Sequence, residues 1–168
     1  MSETIQNRDP QLWVNTPGVI GFYEREFYMF SNFSSFQVNW QGTDWMTSEH
    51  AYQAAKFMPV NPSLVARIGL ARSAHGAYSL ARMHNDERPP GWNDIKVHTM
   101  LDICRHKLAQ HAYIRIKLDA TRDMRLVEDS PKDSFWGIGP DGQGQNQLGT
   151  IWMQLREELR SGDIEIQS

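Results

Sequence analysis

Apolar residues recur at offsets 0, 3, 4, 7 and 11 from Val97 (Val97, Met100, Leu101, Cys104, Leu108) and again from Leu148 (Leu148, Ile151, Trp152, Leu155, Leu159). A helix turns by about 100° per residue, so each set makes one apolar stripe. The pattern predicts a helix from Trp92 to about Gln110 and a last helix from Asn146 or Gln147 to the Ser161-Gly162 cap. Asn61-Pro62 reads as a cap followed by proline at the first helical position, opening a short helix to about Leu70. Ser73 caps another that reaches about Met83. Two-residue alternation appears in FQVNW at 36–40, with Gln41-Gly42 as a hairpin turn and 43–46 as the returning strand. Leu126-Val127 reads as a short strand. Residues 111–120 fit both periods: Ile114, Ile116 and Leu118 alternate, while Tyr113, Ile116 and Ala120 suit a helix. No βαβ alternation is visible, which argues against a doubly wound parallel sheet. The expected fold class is α+β and helix-rich, a single compact domain over 19–162 with a small antiparallel strand element. A loose polar lead-in is expected at 1–18 and a C-terminal tail at 163–168.

SEHAYQAAKF (48–57) inverts the usual amphipathic pattern. Thr47 or Ser48 can cap a helix here, and Glu49 falls in its first turn, where the helix dipole favours a negative charge. Glu49, Gln53 and Lys56 stand at i, i+4 and i+7, so they form one polar row. Alanines and aromatic residues cover most of the rest, which makes the polar face the narrow one. Two readings stay open: a partly exposed face with ordinary i,i+4 pairing, or a polar row that lines a pocket.

Composition narrows the classes. The chain has 168 residues, 40% hydrophobic and 22% charged, enough for one ordinary globular core. Its net charge of −3 argues against a broad duplex-binding surface but leaves room for a small anion site. The single cysteine, Cys104, excludes an internal disulfide and reads as a buried thiol. The six histidines lack metal-ligand spacing, so neither a metal nor another cofactor is expected. With no basic-then-apolar leader and no long apolar run, the expected location is the cytoplasm, away from membranes.

SFWGIGPDGQGQNQLGT (134–150) contains a formal G-x-G-x-x-G at Gly137–Gly142. A dinucleotide fold would need a strand before it and a helix opening inside it, and Pro140-Asp141 interrupts that pattern. The stretch reads instead either as a plain surface turn or as a loop whose backbone closely approaches something. It runs into the start of the last helix, a natural anion site. Asp133 and Trp136 lie three apart just before it, with Trp136 either a stacking platform or core packing.

Several of these pieces together resemble one family. Phe30-Ser31-Asn32-Phe33 and Trp45–Gln53 with Lys56-Phe57 resemble the N-terminal signature of the NADAR, or YbiA-like, family. Trp92 with Lys96, Met100 and Lys107 looks like its middle segment. Leu126-Val127-Glu128, Ser130-Pro131, Asp133 and Phe135–Gly139 look like its third. Asp141-Gly142, Gly144, Asn146, Leu148-Gly149, Met153 and Arg156 look like its last. The resemblance covers about residues 22–160, and the ordered combination is far more specific than any one motif. Thr121-Arg122-Asp123 departs from it, because many relatives have glycine in the middle.

The resemblance implies an N-glycosidase acting on the ribose–amine bond of phosphoribosylamino-pyrimidine intermediates of riboflavin biosynthesis. It implies that Glu49, Trp92, Asp133 and Trp136 belong to the active site, with Lys56 a further candidate. Breaking such a bond builds positive charge on the sugar, which a carboxylate in a dry site stabilises. Glu49 and Asp133 are the expected acid pair, and Lys56 is expected either to form an imine with the opened sugar or to pair with phosphate or Glu49. Trp92 and Trp136 would hold the ring, with Asn32 and Gln53 as polar contacts and Arg72 or Arg156 on the phosphate. Two alternatives stand beside this reading. One is removal of ADP-ribose from guanine in modified nucleic acid. The other is a non-catalytic nucleotide-binding module, which two site carboxylates disfavour.

Overall fold

The computed structural model describes residues 16–167, so most of the expected lead-in lies outside the described residues. The chain is α+β and helix-rich. Its residues form two compact units interleaved in sequence. One contains, of the described residues, 16–31 and Tyr113–Glu165; the other contains Asn32–Ala112 and the residues from Ile166.

The second unit opens with the expected hairpin. Strands β2 (Val38–Trp40) and β3 (Thr43–Trp45) pair antiparallel. Gln41 and Gly42 both have positive φ (51° and 75°), the geometry that tight hairpin turns demand and that matches strand twist. The Gln110 carboxamide completes the free edge of β2: Asn39 N donates to its Oε1 and its Nε2 donates to Asn39 O, both at 2.8 Å. Four helices follow: α1 (Ser48–Ala55), α2 (Pro62–Gly69), α3 (Ala74–Met83) and α4 (Trp92–Gln110). The starts of α1, α2 and α3 fall at the expected caps. Thr47 Oγ1 accepts from His50 N, Asn61 Oδ1 from Leu64 N and Ser73 Oγ from Gly76 N.

Helix α1 packs against α2, α3 and α4, and all eight of its residues are buried. Of the two open readings, a partly exposed face does not hold for Glu49 and Gln53, whose i,i+4 pair lies inside the unit, while Lys56 is half-buried. Burial of polar residues here is supported by specific partners. His50, fully buried, donates from Nε2 to Ala71 O at 2.9 Å, tying α1 to the segment between α2 and α3.

Lys107 on α4 is also fully buried. Its Nζ donates to Ser34 Oγ at 3.0 Å and lies 5.5 Å from the centre of the Phe36 ring. Burial pushes its pKa from 10.5 down to about 8, against a smaller upward pull from Cys104. The unfolded chain holds this proton up to its ordinary value, so between the two pKa values the unfolded state binds more protons and stability rises with pH. Relative to Lys107→Met, the wild type should gain on the order of 3 kcal/mol from pH 8 to 10.5, read by urea unfolding. An unchanging difference between the two proteins would show that the buried amine carries no such burden.

The first unit pairs the expected strand at Leu126-Val127 with one that periodicity did not reveal. β1 (Val19–Phe22) runs parallel to β4 (Arg125–Glu128), in register Val19 with Arg125. Here too a side-chain amide acts as an extra rung. Asn146 Oδ1 accepts from Glu128 N at 2.8 Å and its Nδ2 donates to Leu126 O at 2.9 Å. Helix α6 (Gln147–Ser161) packs on β4, and Gly162 ends it with a left-handed φ of 80°. Phe22, Phe30 and Trp152 fill the core, with Trp152 Nε1 donating to Phe30 O at 2.9 Å. The ambiguous stretch is helix α5 (Ala112–Ala120), which buries Ile114 and Leu118 and leaves Ile116 exposed. Arg122, where the resemblance leads one to expect glycine, takes a left-handed φ of 51°. Arg156 and Arg160 brace that turn by donating to Thr121 Oγ1, Met124 O, Asp123 Oδ1 and Arg122 O. No helix among the described residues is long and apolar enough to cross a membrane.

Candidate functional site

In the helical unit, Thr47 sets the start of α1 so that Glu49 falls in its first turn. The backbone carbonyl of Asn32 accepts from Glu49 N at 3.1 Å and from Ser48 Oγ at 3.4 Å, which fixes this end of the helix. Gln53, one turn on, donates from Nε2 to Glu49 Oε1 at 2.6 Å. Both side chains are at least nine-tenths buried. Gln53 Oε1 is buried without a hydrogen-bond partner among the described residues. A buried acceptor left unmatched costs about 1–3 kcal/mol, which a bound hydroxyl or N–H would recover.

Lys56 continues the row. Its Nζ sits 5.1 Å from the centre of the Tyr52 ring, and Tyr52 packs on Trp92 with centroids 5.5 Å apart and tilted by 52°. Burial lowers the Lys56 pKa from 10.5 to about 8; Glu49 pulls it back up, while Arg88 and Lys96 push it further down. Glu49, Gln53, Lys56, Tyr52 and Trp92 are thus brought together. Trp92 and Arg88 also line an open cleft of about 500 Å³, together with Asp86 and Asp94.

Asn32 is buried beside α4. Its amide lies among the α4 sulfurs, with Nδ2 3.3 Å from Met100 Sδ and Oδ1 3.9 Å from Cys104 Sγ. Arg156 is buried in the first unit, braced on Thr121 and Met124, and Arg72 is exposed. Sequence reasoning quoted Tyr52 and Lys96 within motifs but gave them no part in the site, and it did not single out Arg88. Lys96 stands one helical turn from Trp92, the spacing that could have drawn attention to it.

In the other unit, Asp133 and Trp136 come together on one turn. Ser130 Oγ accepts from Asp133 N at 3.1 Å, and Asp133 Oδ1 accepts from both Phe135 N and Trp136 N at 2.8 Å. The glycine stretch does approach something closely, and it is the chain itself. A Cβ on Gly137 would lie 2.7 Å from Glu128 O, and one on Gly144 would lie 2.5 Å from Gly137 O. The expected anion site at the start of α6 is corrected on the same ground. Gln147 N and Leu148 N already donate to Phe135 O and Trp136 O.

The NADAR domain model matches residues 21–160. The chain belongs to the NADAR domain family. It is 35% identical over 143 residues to the N-glycosidase YbiA of Shigella sonnei, covering 84% of this chain and 88% of that protein. An N-glycosidase of Nostoc punctiforme is 38% identical over 145 residues, covering 84% and 93%. A riboflavin biosynthesis protein of Vibrio vulnificus is 41% identical over 143 residues, and there the chain spans only 38% of the relative's length. The NMR structure of the Escherichia coli protein YbiA superposes with a TM-score of 0.79 at 34% identity, covering 89% of each chain.

Proposed function

We propose that this protein is an N-glycosidase that hydrolyses the ribose–amine bond of phosphoribosylamino-pyrimidines. The observation that carries the reading is the buried Glu49, clamped by Gln53 and set beside a lysine of lowered pKa. The names of the relatives support the reaction type, and riboflavin biosynthesis in the name of another supports the substrate class.

As the C1′–N bond breaks, positive charge grows on C1′ and the ring oxygen. Glu49 stabilises it from a buried position, where a carboxylate acts more strongly than in water. Water adds to C1′ and gives up a proton, and the departing amine takes one up, leaving ribose 5-phosphate and the free aminopyrimidine. Gln53 Oε1 is suited to receive a sugar hydroxyl. Arg88 and Lys96, whose charges reach Lys56, are suited to the phosphate. Lys56 supplies a second route. With a pKa of about 8, roughly a tenth of it is neutral at pH 7. The neutral amine adds to C1′ of the opened sugar, displaces the pyrimidine amine as an imine, and is freed by water.

Incubation with phosphoribosylamino-pyrimidines should release ribose 5-phosphate, and ADP-ribosylated guanine oligonucleotides should be turned over far more slowly. Through the imine route the rate should rise with pH and level off above about 8, and borohydride should trap a sugar adduct that Lys56→Ala abolishes. Release of ADP-ribose in preference to ribose 5-phosphate would overturn the substrate assignment. Full activity in Lys56→Ala would overturn the imine route.

A further inference from the structure

A lysine that attacks a sugar must be held in place without being held in one charge state. A carboxylate within hydrogen-bond reach would fix the amine, but it would also favour the ammonium form, which has no lone pair to attack with. Lys56 is arranged otherwise. Among the described residues its Nζ has no hydrogen-bond or ion-pair partner, and Glu49 reaches it through charge alone. Burial, with that weaker upward pull from Glu49, leaves its pKa at about 8. The stem of a lysine is long and flexible, so something else must direct the amine. The group set against it is the Tyr52 ring, whose centre lies 5.1 Å from Nζ. An aromatic face attracts a cation within about 6 Å, and it does so without a full opposing charge.

The ring has little freedom to turn away. Tyr52 is buried and stands four residues before Lys56, so both side chains fall on one face of α1. It is backed by Trp92, also buried, across the contact between α1 and α4. Trp92 opens α4 directly after Gly91, whose left-handed φ of 86° suits glycine and sets the entry of the helix. Gly91 therefore places Trp92, Trp92 backs Tyr52, and Tyr52 faces Lys56. All four lie in one compact unit.

We infer that Tyr52 is a positioning residue for Lys56: the face of its ring, backed by Trp92, fixes the direction in which the amine points. The catalytic consequence rests on the imine route of the N-glycosidase reading, whereas the placement of the amine does not. In this role the ring works through Lys56 and not on the substrate, so its loss falls on kcat and leaves KM. Misplacing a reacting group by about 1 Å lowers a rate by on the order of a hundredfold.

The test uses the full chain carrying ¹³C-labelled lysine, with the Lys56 ε-CH₂ cross-peak assigned by its absence in Lys56→Arg. A group held over a ring face is shifted upfield by the ring current. In the wild type the Lys56 cross-peak should therefore lie upfield of that of the exposed Lys132. Tyr52→Phe keeps the face, so it should keep the shift and hold kcat and KM within about threefold of wild type. Tyr52→Leu should move the cross-peak to the position of an exposed lysine. It should also lower kcat, and the rate at which borohydride traps the sugar adduct, by roughly ten- to a hundredfold with KM little changed. Wild-type kcat in Tyr52→Leu would overturn the inference, as would a Tyr52→Phe as slow as Tyr52→Leu, because the hydroxyl would then be the active part. Should Tyr52→Leu not fold, the wild type and Tyr52→Phe decide: an unshifted Lys56 cross-peak in either overturns the placement. If the wild type releases no sugar from any phosphoribosylamino-pyrimidine, the functional reading fails while the cross-peak still tests the placement.

Discussion

Glu49→Gln should lower kcat by ~10²–10³-fold and leave substrate affinity close to that of the wild type. The substitution preserves shape and keeps an oxygen to accept from Gln53 Nε2, whose present bond to Glu49 is 2.6 Å. It removes only the negative charge. That charge is buried, where it acts on the neighbouring Lys56 and on any positive charge that develops beside it more strongly than in water. The variant keeps the shape and an acceptor for Gln53, so it should still fold and melt cooperatively. Steady-state kinetics with a phosphoribosylamino-pyrimidine, paired with a thermal melt, reads both quantities. Rates within about threefold of wild type would show that the carboxylate does not stabilise the developing cation.

Gly149→Ala should abolish the fold of the first unit. Gly149 lies on the first turns of α6, where a Cβ would come within 2.2 Å of Leu126 O and 2.4 Å of Asn146 Oδ1. Those are the groups that complete the edge of β4, so neither can yield without breaking the Asn146 rung. Overpacking against backbone is among the few single changes that cost several kcal/mol, about 4 or more here. Gly142→Ala provides the contrast. Its φ of 72° strains an alanine, yet no atom lies within 4 Å, so the loss should stay near 1 kcal/mol. Soluble yield and urea unfolding of the two variants check the pair. Equal losses would mean that α6 has room to move off β4.

Much of the fold was legible because its signals were local. The caps at Asn61 and Ser73 and the turn at Gln41-Gly42 depend on residues a few positions apart, and the stripes of α4 and α6 on one helical period. Strand β1 was not legible: four residues carry little periodicity, and its partner is β4, far along the chain. The burial of α1 was hidden for another reason. Glu49, His50 and Gln53 are inside because each finds a partner, and pairing leaves no hydrophobic trace in a sequence. At the site, spacing revealed the row of Glu49, Gln53 and Lys56. It could not reveal that Tyr52 lies between Lys56 and Trp92, because that contact joins two helices. The glycines allowed a close approach without saying to what, and the answer is the chain's own carbonyls, those of Glu128 and Gly137.

The pairing of β1 with β4 also sets an order of events during synthesis. Val19 must wait for Arg125, so more than a hundred residues are made between one strand and its partner. At ribosomal speeds of about 5–20 residues per second, that is a delay of roughly 5–20 s. The helices from α1 to α4 emerge in the interval and need only near neighbours. A nascent chain stalled before Leu126 would carry Phe22 and Phe30 exposed, a natural target for chaperones that hold apolar segments until translation resumes.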